Sequence, residues 1–300
     1  MHPVLSYLYI DADELPVKNI IYILLILMSF GCTKKEIEEV SGNKVPSEMV
    51  VTQAMKNAYV NRLYISLTGR KPTNAELSLA LQGLGNLAGK SSRAIVVDQI
   101  FSKEEYSVRL YDVARGDYLE SVDTALIRTD YEDVVYALQS ATGPNRDYYL
   151  EVEQELKALL EIPMGLLDES MSVSEMYRRI VNNIYYDEIN MGTENFVVAT
   201  FQNFLFRYPT NVELQNAKAM VDGNPASIFL QAGNSKVDFI DIFFDTDDYA
   251  EGLVINLYRK YLFRDPSTQE MYSETDLFIN NGDYREIQKR ILISDEYFFN

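Results

Sequence analysis

The stretch Leu253–Met271, LVINLYRKYLFRDPSTQEM, returns twice more without a gap: as Phe196–Leu214, FVVATFQNFLFRYPTNVEL, and as Tyr59–Leu77, YVNRLYISLTGRKPTNAEL. Val60, Val197 and Val254 coincide, as do the aromatics Tyr64, Phe201 and Tyr258. So do Arg70, Arg207 and Arg264; Pro72, Pro209 and Pro266; and Glu76, Glu213 and Glu270. Each copy later closes on two acids and a tyrosine: Glu104-Glu105-Tyr106, Asp247-Asp248-Tyr249 and Asp295-Glu296-Tyr297. Recurrence at so many positions marks one supersecondary unit used three times.

The unit reads as helical. Val60, Leu63, Tyr64 and Leu67 lie at i, i+3, i+4 and i+7, the stripe of a helix that packs one face on a core. Proline pushes the residue before it out of the α region, so Lys71, Tyr208 and Asp265 mark a break. Thr73, Thr210 or Ser267 then stands three residues before the recurring Glu, a capping box that starts a second helix. The closing stretches, such as Ile95 to Tyr106 and Ile287 to Tyr297, read as a third helix. Between copies one and two, Asp130 to Leu138, Asp147 to Leu160 and Val173 to Ile189 are also helical in pattern, punctuated by Gly143-Pro144 and by a Pro163 to Gly165 loop. Ser174 to Ile189 echoes a closing helix. No run alternates convincingly with period two, so the expected fold is all-α: three related modules plus a helical insert.

The 300 residues carry 27 Lys+Arg against 45 Asp+Glu, a formal charge of −18, which repels nucleic acid. The one histidine is His2 and the one cysteine Cys32. Everything beyond residue 32 therefore works without imidazole or thiol, which excludes Ser-His-Asp and Cys-His catalysis, His or Cys zinc sites and structural disulfides. Neither a cofactor nor a metal is expected. The acid pairs at 104/105, 247/248 and 295/296 point about 100° apart on a helix and do not converge on one substrate. The acidic stretch Asp241 to Asp248 lacks the Gly and Glu of an EF-hand loop.

From Ile20 to Cys32 the chain reads IIYILLILMSFGC, too short to span a bilayer but suited to a signal-peptide core. Its end resembles a relaxed lipobox of the Bacteroidota type, with Cys32 as the acylated residue. The acidic segment 1–16 is unlike any leader, and the spacing points to Val17 as the true start. Loss of residues 1–31 removes three acids and one base and leaves a charge of −16. The expected organisation is thus: 1–16, an upstream translation artefact; 17–31, a signal peptide; 32–46, acylated Cys and tether; 47–115, module 1; 116–190, the insert; 191–250, module 2; and 251–300, module 3.

The pattern of aromatic, Leu, Arg and Pro, a capping Glu and a final Ser-x-Glu-Tyr resembles the small helical repeat domain of unknown function in bacterial extracellular and S-layer-associated proteins. The third copy carries it most fully, through Leu257-Tyr258, Leu262, Arg264, Pro266 and Ser294 to Phe298. Leu67 to Thr73 also resembles a segment of a helical domain from planctomycete-type cytochrome-associated proteins, although no haem-attachment motif is present. Neither resemblance implies a catalytic residue.

These features imply a membrane-anchored, non-catalytic scaffold or protein-interaction lipoprotein. It would lie on the outer membrane or cell surface, held by acyl chains on Cys32, with a membrane protein complex as partner. The alternatives are a glycan-binding lipoprotein of a nutrient-uptake system and, third, a carboxylate-dependent enzyme. Tyr148-Tyr149, Tyr185-Tyr186 and Phe298-Phe299 stand out as contact candidates. The recurring arginines are expected to be buried along their stems and to bridge the carbonyls ending their own helix to Glu105, Asp248 and Glu296. For the anchor, Cys32→Ala should abolish metabolic labelling by palmitate and leave the chain unprocessed or soluble; undiminished labelling would refute acylation at Cys32.

Overall fold

A computed structural model describes residues 50–300. The signal peptide, Cys32, the tether and the first residues of module 1 lie outside that range. Residues 51–300 form one unit of fifteen helices and one small hairpin. In chain order the helices are α1 (Gln53–Thr68), α2 (Asn74–Leu84), α3 (Lys90–Phe101), α4 (Glu104–Tyr118), α5 (Thr124–Leu138) and α6 (Pro144–Leu167). Then come α7 (Val173–Val181), α8 (Ile184–Ile189), α9 (Thr193–Leu205) and α10 (Asn211–Val221). The hairpin β1 (Ala226–Ile228) and β2 (Gln231–Gly233) precedes α11 (Lys236–Phe244), α12 (Asp247–Leu262), α13 (Thr268–Asn281), α14 (Tyr284–Leu292) and α15 (Asp295–Phe299). No described helix is long and apolar enough to cross a membrane.

The fold is all-α, and several boundaries differ from those expected. The closing stretches are not single helices. α3 ends at Phe101 and α4 starts at Glu104; α11 ends at Phe244 and α12 starts at Asp247; α14 ends at Leu292 and α15 starts at Asp295. The acid-acid-Tyr signature therefore opens a new helix. Thr246 and Ser294 cap it by accepting from the amides of Tyr249 and Tyr297, and each acid pair falls in its first turn, where the helix dipole favours negative charge. The module ends set at 115 and 250 consequently fall inside α4 and α12, each of which begins as the close of one copy and continues onward. The insert ends the same way: α7 stops before Asn183, whose side chain accepts from the amides of Tyr185 and Tyr186. Tyr106, Tyr186, Tyr249 and Tyr297 occupy one position after these breaks, and all are buried. Their burial against neighbouring helices places the turn.

Two further differences have local causes. Pro163 lies inside α6 and does not end it. The buried Leu159, Ile162 and Leu166 around it hold the helix by packing, which outweighs one lost backbone bond. The hairpin turns at Phe229-Leu230, both left-handed with φ of 50° and 64°. Such turns normally take Asn-Gly or similar residues, so the sequence carries no hairpin signal. Phe229 packs beside Phe201 and Phe243, which offsets the strain.

The two ends of the unit are clasped. α15 packs on both α12 and α1, and α14 packs on α3. The Tyr59 hydroxyl donates to the Leu292 carbonyl, and Arg62 donates to the carbonyl of Tyr297. Arg93, only 3% exposed, donates to the Ile293 carbonyl and to Asp295, and its guanidinium lies over the Phe298 ring. The fully buried Gln288 accepts from the Tyr106 hydroxyl and donates to that of Tyr261, tying module 1 to module 3 inside the core.

α9 and α12 cross at Gly252, where a Cβ would meet the Phe204 carbonyl oxygen well inside van der Waals contact. Gly252→Ala should therefore cost about 3 kcal/mol or more, because backbone must move. Gly83 in α2 faces only the tip of Val96. There, Ala should be neutral or stabilise by about 0.5–1 kcal/mol through helix propensity. Chemical denaturation of the two variants separates these outcomes; equal midpoints would contradict the close crossing.

Candidate functional site: arginine latches and the grooves beside them

Each recurring arginine sits two residues past a helix C-terminus, and its helix exits in the left-handed region at Gly69, Phe206 or Phe263. That exit turns the arginine back over the Pro turn. Its fork meets the capping-box glutamate through two parallel bonds: Arg70 to Glu76 at 2.8 and 2.9 Å, Arg207 to Glu213 at 2.9 and 2.7 Å, and Arg264 to Glu270 at 2.9 and 2.8 Å. The same guanidinium reaches the second acid of the signature, at 2.8 Å to Glu105, 2.6 Å to Asp248 and 2.6 Å to Glu296. Glu76, Glu213 and Glu270 also accept from the amides of Thr73, Thr210 and Ser267, completing capping boxes in all three copies. One carboxylate thus holds the turn, the second helix and the arginine together.

Two expectations about the arginines need correction. The accepted carbonyl is that of the following residue, Lys71, Tyr208 or Asp265, and not one ending the helix. The left-handed exit turns the helix-terminal carbonyls away from the fork. The arginine side chains also remain 35% to 38% exposed, so the latch is a half-solvated network and not a buried pair. Two partners join the latch beyond those expected. The aromatic six residues before each arginine, Tyr64, Phe201 or Tyr258, lies under its guanidinium at 5.8, 5.1 and 5.2 Å. Its recurrence with the arginine was the available signal. Lys103, where the other copies have a capping hydroxyl, instead donates to Glu76.

Charge-assisted bonding from the arginine holds the glutamates far below the ordinary carboxylate range. Glu213 and Glu270 are brought down to about 2, with the cap amides adding to the effect. Glu105 and Glu296 are lowered by the same arginines. The first acids of the pairs do not join them: Asp295 pairs with Arg93, while Glu104 and Asp247 are exposed. In the acidic stretch, Asp241 and Asp245 pair with Arg178, and Asp248 belongs to its latch. Among the aromatic pairs, Tyr148 is exposed, whereas Tyr185, Tyr186 and Phe298 are core residues.

Two of the larger grooves among the described residues lie away from the latches' own bonds. One, of about 450 Å³, has Glu155, Arg178, Arg179 and Asp241 in its walls, and burial pushes Glu155 up to about 7. The other, of about 650 Å³, lies between α4 and α12 and contains Arg109, Asp117 and Lys260. Among the described residues, no group of three or more His, Cys, Asp or Glu could hold a metal ion. No family model, curated protein or solved structure matches the chain.

Losing one latch should weaken the fold measurably. Arg264→Ala is expected to cost about 1–2 kcal/mol, and Arg264→Lys less, because Lys keeps the charge but not the fork. Since Glu213 and Glu270 have depressed folded values, their contribution is complete above about pH 4.5 and is lost as pH falls toward 2. Glu155 acts only between about 4.5 and 7, in the opposite sense. Melts of the parent and Arg264→Ala should therefore differ at pH 6 and converge near pH 2; overlay at pH 6 would show the latch to be energetically idle.

Proposed function

We propose that the protein is a non-catalytic scaffold lipoprotein of a bacterial outer membrane or cell surface, anchored through acyl chains on Cys32 and presenting its repeat-built body to a membrane protein complex. The observation that carries this reading is the use of the recurring charges. Arg70, Arg207 and Arg264, with Glu76, Glu213, Glu270, Glu105, Asp248 and Glu296, are committed to one another. Carboxylates held ionised by a guanidinium fork are poor proton shuttles. They are good fasteners. The repeat's conserved chemistry within the chain is thus spent on rigidity, which lowers the entropy lost when a surface docks.

Exposed aromatics support a contact role. Phe263 is 84% exposed at a left-handed helix exit, and Tyr208 stands in the equivalent turn of the second copy, beside Arg207. Aromatic side chains are the common anchors of protein interfaces. Affinity purification of the full chain from detergent-solubilised membranes, after mild cross-linking, should return one partner in stoichiometric amount. Recovery of the chain alone, in the soluble fraction, would overturn the proposal.

A further inference from the structure

In a chain of charge −18, cations are usually claimed by nearby acids. Along the groove between α4 and α12 two are not. Asp112 pairs with Arg115, and Arg259 pairs with Asp265. Arg109 and Lys260 form no salt bridge among the described residues, and the Arg109 Nε is buried without an acceptor. Burial lowers the Lys260 ammonium and raises the Asp117 carboxyl, and each senses the other and Arg109. Asp117 is itself open to solvent, but Lys260 is half-buried and the Arg109 Nε is covered over Gly69, and covered cations left without an acid call for a reason.

The surrounding wall is built of hydrogen-bonding groups and one aromatic ring. Asn256 and Lys260 come from adjacent turns of α12, Asp117 from the end of α4, and Ser121 from the loop behind it. That loop is strained: Glu120 and Ser121 are successive left-handed residues, with φ of 49° and 61°. Phe206, the fourth wall, is left-handed as well, at 53°, with the Arg259 guanidinium 4.8 Å from its ring. Such conformations cost free energy and persist where the surroundings hold them. Three of them adjoin this one groove, whose volume of about 650 Å³ falls within the range of small-molecule sites.

We infer that this groove binds an acidic sugar, a uronate unit of a glycan, with the sugar carboxylate between Arg109 and Lys260, its hydroxyls on Asp117, Ser121 and Asn256, and its apolar face against Phe206. The mixed lining favours a ligand that both accepts and donates. A carboxylate satisfies the two cations, and the hydroxyls of the same sugar can meet Asn256, Ser121 and the solvent-open Asp117 beside them. Phosphate at neutral pH lacks enough hydroxyls, and an acidic peptide side chain brings a carboxylate without hydroxyls beside it. A neutral sugar would leave both cations unmet. The inference is independent of the anchoring and scaffold role, since the groove is formed by residues 109–260 of the folded body.

Isothermal titration of the full chain with trigalacturonate, maltotriose and inorganic phosphate tests it. Trigalacturonate should bind saturably, with neither of the others competing at equal concentration. Arg109→Gln and Lys260→Met should each weaken it about tenfold or more, the scale of a lost charged hydrogen bond. Asn256→Asp, which adds a carboxylate without removing bulk, should do the same while the thermal melt stays near the parent's. Absence of trigalacturonate binding, equal binding of maltotriose or phosphate, or unchanged affinity in folded variants would each overturn the site.

Discussion

The structure hangs on a planar cation that must fill five donors. At the end of each repeat's first helix, a guanidinium is set where the capping-box glutamate, the next residue's carbonyl and an acid from a later helix can all accept from it. In the third copy every donor of Arg264 is used: Nε and Nη2 on Glu296, Nη1 and Nη2 on Glu270, and Nη1 again on the Asp265 carbonyl. Lysine has the charge but not the fixed fork, and could not hold two carboxylates at these angles. The glutamate matters equally. By capping one helix and receiving the arginine, it links a local signal to a tertiary contact. The acid that arrives from 32 to 41 residues later then sets where the next helix must begin.

Because the latched acid opens the following helix, the copies cannot be cut apart. α4 follows the first latch, α12 the second and α15 the third. The first two run on for 15 and 16 residues, whereas α15 has only 5. α15 packs back against α1, and this return closes the unit. A linear repeat array leaves a terminal face that needs a polar cap. Here the last helix supplies an internal one: Phe298 lies between Tyr59 and the guanidinium of Arg93, and the backbone of 292 to 298 is engaged by three side chains from module 1.

The helical class, the capping boxes and the second acids of the latches were legible because they rest on short-range rules or on recurrence. Thr73 and Glu76 are three residues apart, and their geometry follows from the backbone alone. Glu105, Asp248 and Glu296 could be named because the same pair of types recurs with the arginine. The break before Tyr106, Tyr249 and Tyr297 was not legible. It depends on the burial of those rings by helices distant in sequence, and a short run of apolar and polar residues reads equally well as one helix. The hairpin failed for the opposite reason, since Phe229 and Leu230 are the wrong residues for its turn and are tolerated only because Phe229 finds aromatic neighbours. The groove between α4 and α12 was out of reach. Arg109 and Lys260 are 151 residues apart, and no spacing rule connects them.

One position of the repeat bears on that groove in two of the copies. Where the second and third copies have Phe206 and Phe263 at the left-handed helix exit, the first has Gly69. A side chain at Gly69 would press on the Cδ of Arg109, which lies across it at 3.3 Å from where a Cβ would stand. The left-handed region costs a phenylalanine free energy that a glycine is spared. At Phe206 that cost is offset partly by the Arg259 guanidinium over its ring. At Gly69 the missing side chain gives space to an arginine from α4 instead. Arg109 therefore packs over Gly69 while also lining the groove that Lys260, Asn256 and Phe206 share. The glycine of one copy and the phenylalanine of the next are thus two uses of one backbone conformation: one makes room for Arg109, and the other walls the groove that Arg109 lines.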